Sequence, residues 1–435
     1  MNHKVLIVSP HFPPVNAADH QRSRMSLSYL HHFNWDAHVL AVHPKFIQGS
    51  NDPFLAKTIP NSISVTYTDA LSTQFTQKIG LGNLGLRSYP YLFKAGSILL
   101  EKYKFDLVYF STTVFISMAL GKQWKTRFGV SYILDFQDPW INNYYNKSGS
   151  PSPPGGKLKY GFSQLIARFL EPKAVSQASH IISVSPAYPD VLQQRYPHLN
   201  PTQFTVLPFG ASEQDFDLLP TLDVQQTIFD PNDGKRHWVY VGRAGYDMQM
   251  SLRSLFGAIH CDRQQNPDRW QSIKLHFIGT SYAPEDRAVK TVEPIAQEFH
   301  IDDLVEEQTH RIPYFEALQT LVDSDAIILI GSDDPGYTAS KLYPCILARK
   351  PILAIFHQDS SVVSILEQCQ AGEAVTFQTG DRPHDLLSAI QEKLQKWLSF
   401  PKGYEPLTDW NAFQPYTAYE MTRKQCEVFD GCLKL

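Results

Sequence analysis

The sequence predicts an α/β protein made of two doubly wound, Rossmann-like domains. At 435 residues the chain is longer than a single hydrophobic core usually supports. Short apolar segments of strand length alternate with helical patterns, which is typical of parallel sheets covered by helices on both faces. A polar stretch interrupts this alternation, which starts again at Trp238. Two domains of about 200 residues each follow from these observations.

The first half opens with an apolar strand at residues 5–9, a proline-rich turn, a helical pattern at 21–33 and a strand at 37–42. This order of strand, loop, helix and strand is the beginning of a Rossmann-like unit. Further strands are predicted at 107–110, 132–136, 181–184 and 205–207, with helical patterns at 115–127 and 165–177.

The second half begins with a new first strand at 238–242. Strands are predicted at 274–278, 326–330 and 352–356, and helices at 251–262 and 286–299. We expect the first domain over residues 1–210, a linker near 209–235 and the second domain over 211–409. The last segment, 410–435, is rich in aromatic residues and mostly helical by pattern.

Composition excludes several classes of protein. Hydrophobic residues make up 43% and charged residues 19% of the chain, which indicates an ordered globular protein. No apolar run approaches 18 residues, so we expect no transmembrane helix. The short apolar run at the N-terminus is predicted to be a strand rather than a signal sequence. Five cysteines without a CxxC pair indicate reduced thiols in a cytoplasmic protein, and neither a zinc site nor a disulfide framework is expected.

Charge is distributed unevenly along the chain. Residues 1–200 contain 19 lysines and arginines against 10 aspartates and glutamates, and the remainder contains 20 against 33. One interpretation is an ordinary difference between two domains; the other is a first domain that faces an anionic membrane surface. Segment 157–173 has apolar residues spaced by three and four, with cations on its other side, which suits either a packed surface helix or a membrane contact. No nucleic-acid motif is present.

The segment from 326 to 356 carries the strongest functional signal. It is predicted to form a buried strand, a polar loop, a short helix and a second buried strand. Ligands of open α/β sheets bind at the carboxyl ends of the strands, and the free amides of a helix start favour anions. Ser340 and Lys341 would add a hydroxyl and a cation there. The pattern therefore predicts a phosphate site.

The same segment, SKLYPCILARKPILAIF, resembles the donor-site helix of the group 1 (family 4-like) glycosyltransferases, whose two-domain architecture is the GT-B fold. The matching residues are Ser340, Lys341, Leu342, Tyr343, Ala348, Lys350 and Pro351. Pro344 stands where the family has a ribose-binding glutamate, Arg349 replaces a glycine, and Gly336 replaces a second glutamate. The resemblance implies that the two domains face a central cleft and that 410–435 returns to the N-terminal domain. It also implies donor contacts from Ser340, Lys341 and Leu342.

The first strand and its loop, VLIVSPHFPPVNAADHQRSR, are similar to the glycine-rich loop of that family. Asn16, Ala17 and Ala18 stand in place of the glycines, and Arg22 matches the family's arginine. The resemblance implies that Asn16 and Arg22 contact the acceptor or the sugar. The alternative for Arg22 is a solvated residue at a helix start.

The sequence DFQDPW at 135–140 follows an apolar strand and is similar to the DFRDPW signature of a sub-branch of these enzymes. Carboxylates at the end of a strand can contact sugar hydroxyls or accept a proton. Asp135, Asp138 and Trp140 are therefore candidate acceptor or sugar contacts, and Asp138 is also a candidate catalytic residue. The alternatives are a helix cap for the aspartates and core packing for Trp140.

The sequence WVYVGR at 238–243 resembles the V-G-R motif of the second domain in that family. Gly242 would let the chain turn close to the diphosphate, and Arg243 would neutralise its charge. The alternative is a strand-end turn with a solvated arginine. Gly279, Pro313 and Tyr314 match positions where family members form the base pocket. Asp323 and Asp325 spell DxD, but they lie beside a buried strand, and we expect no metal site there.

Together these resemblances imply transfer of a sugar from a nucleotide-diphosphate donor to an acceptor hydroxyl, with retention of configuration. Arg243 and Lys341 would stabilise the leaving diphosphate and Asp138 would assist at the sugar or acceptor. A nucleotide sugar is the co-substrate, no cofactor or metal is expected, and the acceptor is a glycan, a lipid-linked molecule or a small molecule. The alternatives are a non-catalytic GT-B protein, a sugar-nucleotide epimerase and a scaffold for polysaccharide assembly.

Overall fold

The computed structural model describes residues 2–76, 82–141, 156–283, 287–334, 337 and 340–433. The chain forms two compact units. The first unit is Met1–Gly210 together with Ala418–Leu435, and the second is Ala211–Thr417.

The first unit is built on a seven-stranded parallel sheet. Its strands are β1 (His3–Val8), β2 (Trp35–Val42), β3 (Ser64–Thr68), β4 (Leu107–Ser111), β5 (Ser131–Phe136), β6 (His180–Ser183) and β7 (Phe204–Val206). Their order in the sheet is β3-β2-β1-β4-β5-β6-β7. Because β1 has β2 on one side and β4 on the other, the order reverses between β1 and β4. Such a reversal opens a crevice at the carboxyl ends of those two strands.

Helices cover both faces of this sheet. They are α1 (Gln21–Leu27), α2 (Pro53–Lys57), α3 (Thr73–Thr76), α4 (Leu84–Lys102), α5 (Leu120–Phe128), α6 (Lys157–Val175), α7 (Ala187–Arg195) and the last helix of the chain, α17 (Ala418–Leu433). The ring of Phe429 in α17 packs 5.2 Å from that of Trp35 and 5.1 Å from that of Tyr109. The apolar face of the terminal helix is thus part of the core of the first unit.

The second unit has a six-stranded parallel sheet. Its strands are β8 (Arg236–Val241), β9 (Ile273–Ile278), β10 (Val305–Gln308), β11 (Ala326–Ile330), β12 (Ile352–His357) and β13 (Glu373–Phe377). The order is β10-β9-β8-β11-β12-β13, so this sheet reverses between β8 and β11. Both strands are almost wholly buried, as continuous apolar runs in a covered parallel sheet should be.

The helices of the second unit are α8 (Glu213–Leu218), α9 (Gln249–Gln265), α10 (Pro267–Trp270), α11 (Glu293–Glu298), α12 (Tyr314–Asp323), α13 (Leu342–Leu347), α14 (Ser361–Cys369), α15 (Leu387–Ser399) and α16 (Trp410–Phe413). Trp238 of β8 packs edge-on against Trp270 and Trp397, at 5.7 and 5.3 Å between ring centroids. These three indoles form the centre of one side of the core.

The prediction of two doubly wound, Rossmann-like α/β units is confirmed. Three edge strands (β3, β10 and β13) were absent from the predicted set, because these strands are only partly buried and lack a continuous apolar run. The helix predicted at 286–299 begins only at Glu293. There the carboxylate of Glu307 accepts hydrogen bonds from the backbone N–H groups of residues 291–293 and holds the chain in a turn before the helix.

Within the described ranges, no helix combines the length and the apolar character that crossing a bilayer requires. The two aspartates of the DxD sequence have ordinary structural partners. Asp325 accepts a hydrogen bond from the backbone N–H of His237 at 2.9 Å, and Asp323 accepts one from Gln319 at 2.8 Å.

Candidate functional site

Most of the residues that the sequence singled out lie near the two sheet reversals, at or just beyond the carboxyl ends of strands. In the second unit, Gly242 and Arg243 follow β8, and Lys341 precedes α13, which lies between β11 and β12. In the first unit, the loop after β1 is hydrogen-bonded to residues that follow β4. Parallel sheets bind ligands at such places because several strand ends and helix starts face one space.

Gly242 and Lys341 are in direct contact, although they are 99 positions apart in the chain. A Cβ atom built on Gly242 would stand 2.4 Å from Nζ of Lys341. Gly242 also has a φ of 147°, which residues with a side chain rarely adopt. Glycine is therefore required at 242 both by backbone conformation and by the approach of the lysine. The structure brings together two of the predicted donor-binding residues.

The Lys341 ammonium lies against the fully buried ring of Tyr240. It stands 4.4 Å from the ring centroid and donates a hydrogen bond to the phenol, which in turn donates to the carbonyl of Arg243. Desolvation by the surrounding protein and the positive charge of Arg243 lower the pKa of Lys341 to about 7. Burial disfavours the protonated form of Lys341, and an anion bound beside the ammonium would stabilise that form.

Arg243 is engaged by a carboxylate in the same loop. Its Nη1 and Nη2 atoms donate to Oδ1 and Oδ2 of Asp247 at 2.6 and 2.7 Å. The hydrogen bonds and charge of Asp247 raise the pKa of Arg243 and, in return, Arg243 holds the pKa of Asp247 below its usual value. Nearly a third of the arginine side chain stays exposed. The guanidinium is thus held in place and accessible, but its charge is already balanced.

In the first unit, Arg22 and Asp135 form an ion pair with no solvent-exposed side-chain surface. Nε of Arg22 donates to Oδ2 of Asp135 at 2.9 Å, and the two terminal nitrogens donate to the carbonyls of Leu207 and Pro208. Oδ2 also accepts hydrogen bonds from three further side chains: Tyr109, Ser111 and Gln137. The pair ties helix α1 to the ends of β4, β5 and β7. A contact of either residue with an acceptor or a sugar stays a prediction.

Asp138, the fourth residue of the DFQDPW sequence, is exposed. Desolvation by neighbouring protein and the negative charge of Asp19 raise the pKa of its carboxyl to about 6. Trp140 is buried and stacks on Phe115, with 5.6 Å between ring centroids and 14° between planes. Asn16 is also buried, and its backbone N–H donates to the carbonyl of Ser50. Of the DFQDPW residues, Asp138 therefore offers a carboxyl group to solvent, whereas Asp135 and Trp140 are packed.

Solved structures of similar architecture cover this chain from end to end. HepE of Anabaena in complex with UDP and glucose matches with a TM-score of 0.60 at 14% identity, over 99% of this chain and 100% of that one. A glycosyltransferase of Rickettsia africae matches with a TM-score of 0.58 at 13% identity, over 100% and 99%. The chain has the GT-B fold.

WaaG, a GT-B glycosyltransferase involved in lipopolysaccharide biosynthesis, matches with a TM-score of 0.54 at 11% identity, over 98% of this chain and 99% of that one. No family model matches the sequence, and no curated protein matches it either. The predicted GT-B fold is confirmed, and the sub-branch suggested by the DFQDPW motif stays a prediction.

The segment from 326 to 356 of this GT-B chain contains strand β11, helix α13 and strand β12 in the predicted order, but α13 has only six residues. Leu342 is buried and Ser340 is exposed. Pro344 lies in the first turn of α13, where its missing N–H costs no helical hydrogen bond. Its ring offers no acceptor for a ribose hydroxyl. Gly336, the second departure from the family pattern, lies outside the described residues.

Arg349 explains why the family pattern has a glycine at this position. It adopts a left-handed φ of 56°, which glycine tolerates at no steric cost. Here the guanidinium stacks over the ring of Trp410 at 4.8 Å, and this contact offsets part of the backbone cost.

The three residues predicted for the base pocket of this GT-B chain lie at the ends of neighbouring elements. Gly279 follows β9 with a left-handed φ of 72°, and its N–H donates to the carbonyl of Gln308. Pro313 and Tyr314 begin α12, where the Tyr314 hydroxyl donates to Asp215 at 2.7 Å. Their contact with a nucleotide base stays a prediction.

Sequence reasoning missed a histidine and an aspartate in the loop after β1. Nδ1 of His11 lies 2.9 and 3.0 Å from the two carboxylate oxygens of Asp19. Asp19 also accepts hydrogen bonds from the Thr112 hydroxyl and the Thr113 N–H. The charge of His11 holds the pKa of Asp19 far below its usual value, against the effect of burial, and Asp19 raises the pKa of His11. The signal was the presence of both side chains in one strand-end loop, which lies at the reversal of the sheet.

Proposed function

We propose that this protein transfers a sugar from a nucleotide-diphosphate donor to an acceptor hydroxyl. One observation carries the proposal: Gly242, Arg243 and Lys341 meet at the reversal of the second sheet. Two cations and a bare backbone at that place suit a diphosphate, since the glycine leaves room and the cations supply charge. HepE, which has the same fold, binds UDP, glucose and UDP-glucose in its solved structures.

In this proposal Arg243 and Lys341 stabilise the negative charge that develops on the leaving diphosphate. Gly242 and the residues Ser340 and Leu342 line the diphosphate, and Gly279, Pro313 and Tyr314 contact the base. Asp138 contacts the sugar or accepts the proton of the acceptor hydroxyl, because its carboxyl is exposed. The reaction proceeds with retention and without a metal, as the family resemblance implies.

His11 is the second candidate for the proton acceptor. Its hydrogen bonds to Asp19 orient the ring and stabilise the imidazolium that proton transfer would form.

The anomeric configuration of the first product formed, measured by proton NMR, is an independent check on retention.

The biological setting that we propose is the synthesis of a glycan, a glycolipid or a polysaccharide. Support comes from WaaG, which acts in lipopolysaccharide biosynthesis. We also propose a cytoplasmic location with peripheral contact at the inner face of the membrane, on the strength of the excess of cations in residues 1–200.

A specific observation supports a second candidate, a GT-B protein that binds a ligand or partner without turnover. The guanidinium of Arg243 is already paired with Asp247, and Pro344 stands in place of the ribose-binding glutamate of the family pattern. Hydrolysis of a nucleotide sugar in the absence of acceptor separates the two candidates: the enzyme should release free sugar slowly, and a scaffold should release none.

The proposed function is tested by titrating UDP, GDP, ADP, CDP and dTDP, with their common sugar conjugates, into the protein by calorimetry and thermal shift. One nucleotide should stabilise the wild type by about 2.7 kcal/mol at a hundred times its dissociation constant. Arg243→Ala and Lys341→Met should lose that effect. Arg263→Ala is the matched control, because Arg263 makes an equivalent two-pronged pair with Asp303 on the surface of the same unit. If no nucleotide stabilises the wild type, the donor site is absent.

A further inference from the structure

We infer that helix α6 of the first unit is an in-plane anchor for a lipid surface that carries anionic headgroups. The inference deepens the membrane contact proposed above by naming the segment and the lipid class. Its test uses neither nucleotide nor sugar, so its failure and the failure of the proposed transferase activity are distinguishable.

The main evidence is a row of large apolar side chains that are exposed to solvent along α6. Leu158, Phe162, Leu165 and Phe169 are 93, 47, 65 and 63% exposed. Their spacings of four, three and four residues place them on one face of the helix. An exposed row of this size is unusual for a surface helix, which normally turns its apolar face to the core. We call this row the α6 stripe.

The helix is held to its unit by its other end and its other face. Glu171 is fully buried; it accepts hydrogen bonds from the Tyr196 hydroxyl and the Ile141 N–H and pairs with Arg195. The Tyr132 hydroxyl donates to the carbonyl of Ala174 at 2.7 Å. These contacts anchor the C-terminal turns of α6 to the first unit, and the α6 stripe lies on the opposite, exposed face of the helix.

The charged residues that flank the α6 stripe indicate which kind of surface binds it. At about 100° of rotation per residue, Lys157 and Arg168 lie on one side of the stripe and Lys159 and Lys173 on the other. The only acidic residue of the helix is the buried and paired Glu171. Cations on both flanks of an apolar row match a bilayer surface, where the row enters the acyl boundary and the cations meet anionic headgroups.

A groove of about 770 Å³ beside the helix is also lined by apolar and cationic side chains. It lies between α4, α5 and α6, and its lining combines apolar side chains such as Pro90, Ile116 and Leu170 with the cations Lys122 and Lys173. Arg127 also lines the groove, and its charge is balanced by Glu101. No carboxylate lines it among the residues that the structure describes. Lys173 lies with its ammonium 3.3 Å from the centroid of the Phe169 ring, so the stripe and the groove share a boundary. An anionic lipid headgroup suits this boundary better than an acidic protein, because the apolar area adjoins it directly.

The experiment is co-sedimentation of the full chain with vesicles of two compositions: phosphatidylcholine alone, and two parts phosphatidylcholine to one part phosphatidylglycerol. The wild type should bind the anionic vesicles at least tenfold more tightly, with binding weakened by salt. The double variant Leu158→Asp/Leu165→Asp should lose at least tenfold in binding, as should Lys159→Glu/Lys173→Glu. Val191→Asp, at an exposed apolar position on α7, is the matched control and should bind as the wild type does.

Equal binding of wild type and stripe variant, or no preference for anionic vesicles, would overturn the inference. So would a wild-type dimer in light scattering that the stripe variant converts to a monomer without any vesicle binding, because a second copy of the chain would then cover the stripe. Circular dichroism of each variant separates loss of binding from loss of fold.

Discussion

Lys341 places its ammonium where Gly242 has no side chain, and a Cβ atom at position 242 would stand 2.4 Å from that nitrogen. The two residues come from loops that follow β8 and β11, at the reversal of the second sheet. Because position 242 has no side chain, Lys341 can reach the strand ends at the proposed diphosphate site.

Substituting Gly242 by alanine should weaken binding of the nucleotide at least tenfold. The methyl group would displace the lysine and would strain a backbone with a φ of 147°. Gly380→Ala is the matched control, since Gly380 also has a positive φ, of 104°, but nothing lies within 4 Å of its added Cβ. That control should cost about 1 kcal/mol in stability and leave the affinity unchanged. Equal affinities of both variants and wild type would show that the glycine serves the turn alone.

Replacing Asp247 by asparagine should tighten nucleotide binding about fivefold. The substitution removes the charge that balances Arg243, so a diphosphate no longer competes with a carboxylate for the guanidinium. The pair is partly exposed, and we expect a stability loss of no more than about 1 kcal/mol. Calorimetry at two salt concentrations measures the effect, which should be larger at low salt. A weaker affinity instead would mean that Asp247 serves to hold Arg243 in position.

Binding of a nucleotide sugar should weaken as pH rises above 7. Lys341 has a pKa of about 7 in the free protein, and a bound diphosphate stabilises its charged form, so binding takes up a proton above that pH. Affinity should fall up to tenfold per pH unit until the pKa of the complex is reached. A nucleotide sugar suits the experiment because its diphosphate keeps a constant charge in this range. In Lys341→Met the slope should disappear; a slope that persists there would assign it to another group.

Breaking the Arg22–Asp135 pair should destabilise the first unit strongly. Either Arg22→Met or Asp135→Leu leaves a buried charge without its partner, for a loss of about 3–5 kcal/mol. The double variant should lose less than the sum of the two, because it leaves no unpaired charge. Arg127→Ala is the control: its pair with Glu101 is about half exposed on both sides and should matter by less than about 1 kcal/mol. Urea unfolding of the four variants and wild type measures these differences.

The pH profile of the transfer reaction should identify its proton acceptor. Asp138 must be ionised to accept a proton, and because its pKa is raised to about 6, kcat should rise with pH and level near 7. Asp138→Asn should lower kcat by about 10²–10⁴-fold. His11, whose pKa is raised by Asp19, would instead give a limb above pH 6.5. A profile that keeps its lower limb in Asp138→Asn and loses it in His11→Asn would move the role to the histidine.

Much of the candidate site in the second unit could be predicted from sequence. Gly242, Arg243 and Lys341 were singled out as parts of separate strand-end motifs, and the structure places all three at one sheet reversal. The pairing of charges in the first unit was less predictable. Arg22 and Asp135 were read as ligand contacts because both follow strand-end patterns, but a one-dimensional pattern does not show whether two charges 113 positions apart meet each other.

The sequence by itself determined the two doubly wound units, because apolar segments of strand length and helical patterns are local properties of the chain. Only the tertiary structure decided which charges are paired, which are free and which apolar residues stay uncovered. Asp247 and Arg243, His11 and Asp19, and the α6 stripe are such cases. Their states depend on distances between side chains and on access to water. The packing of distant segments sets both, because it fixes how much solvent screens each charge and covers each apolar surface.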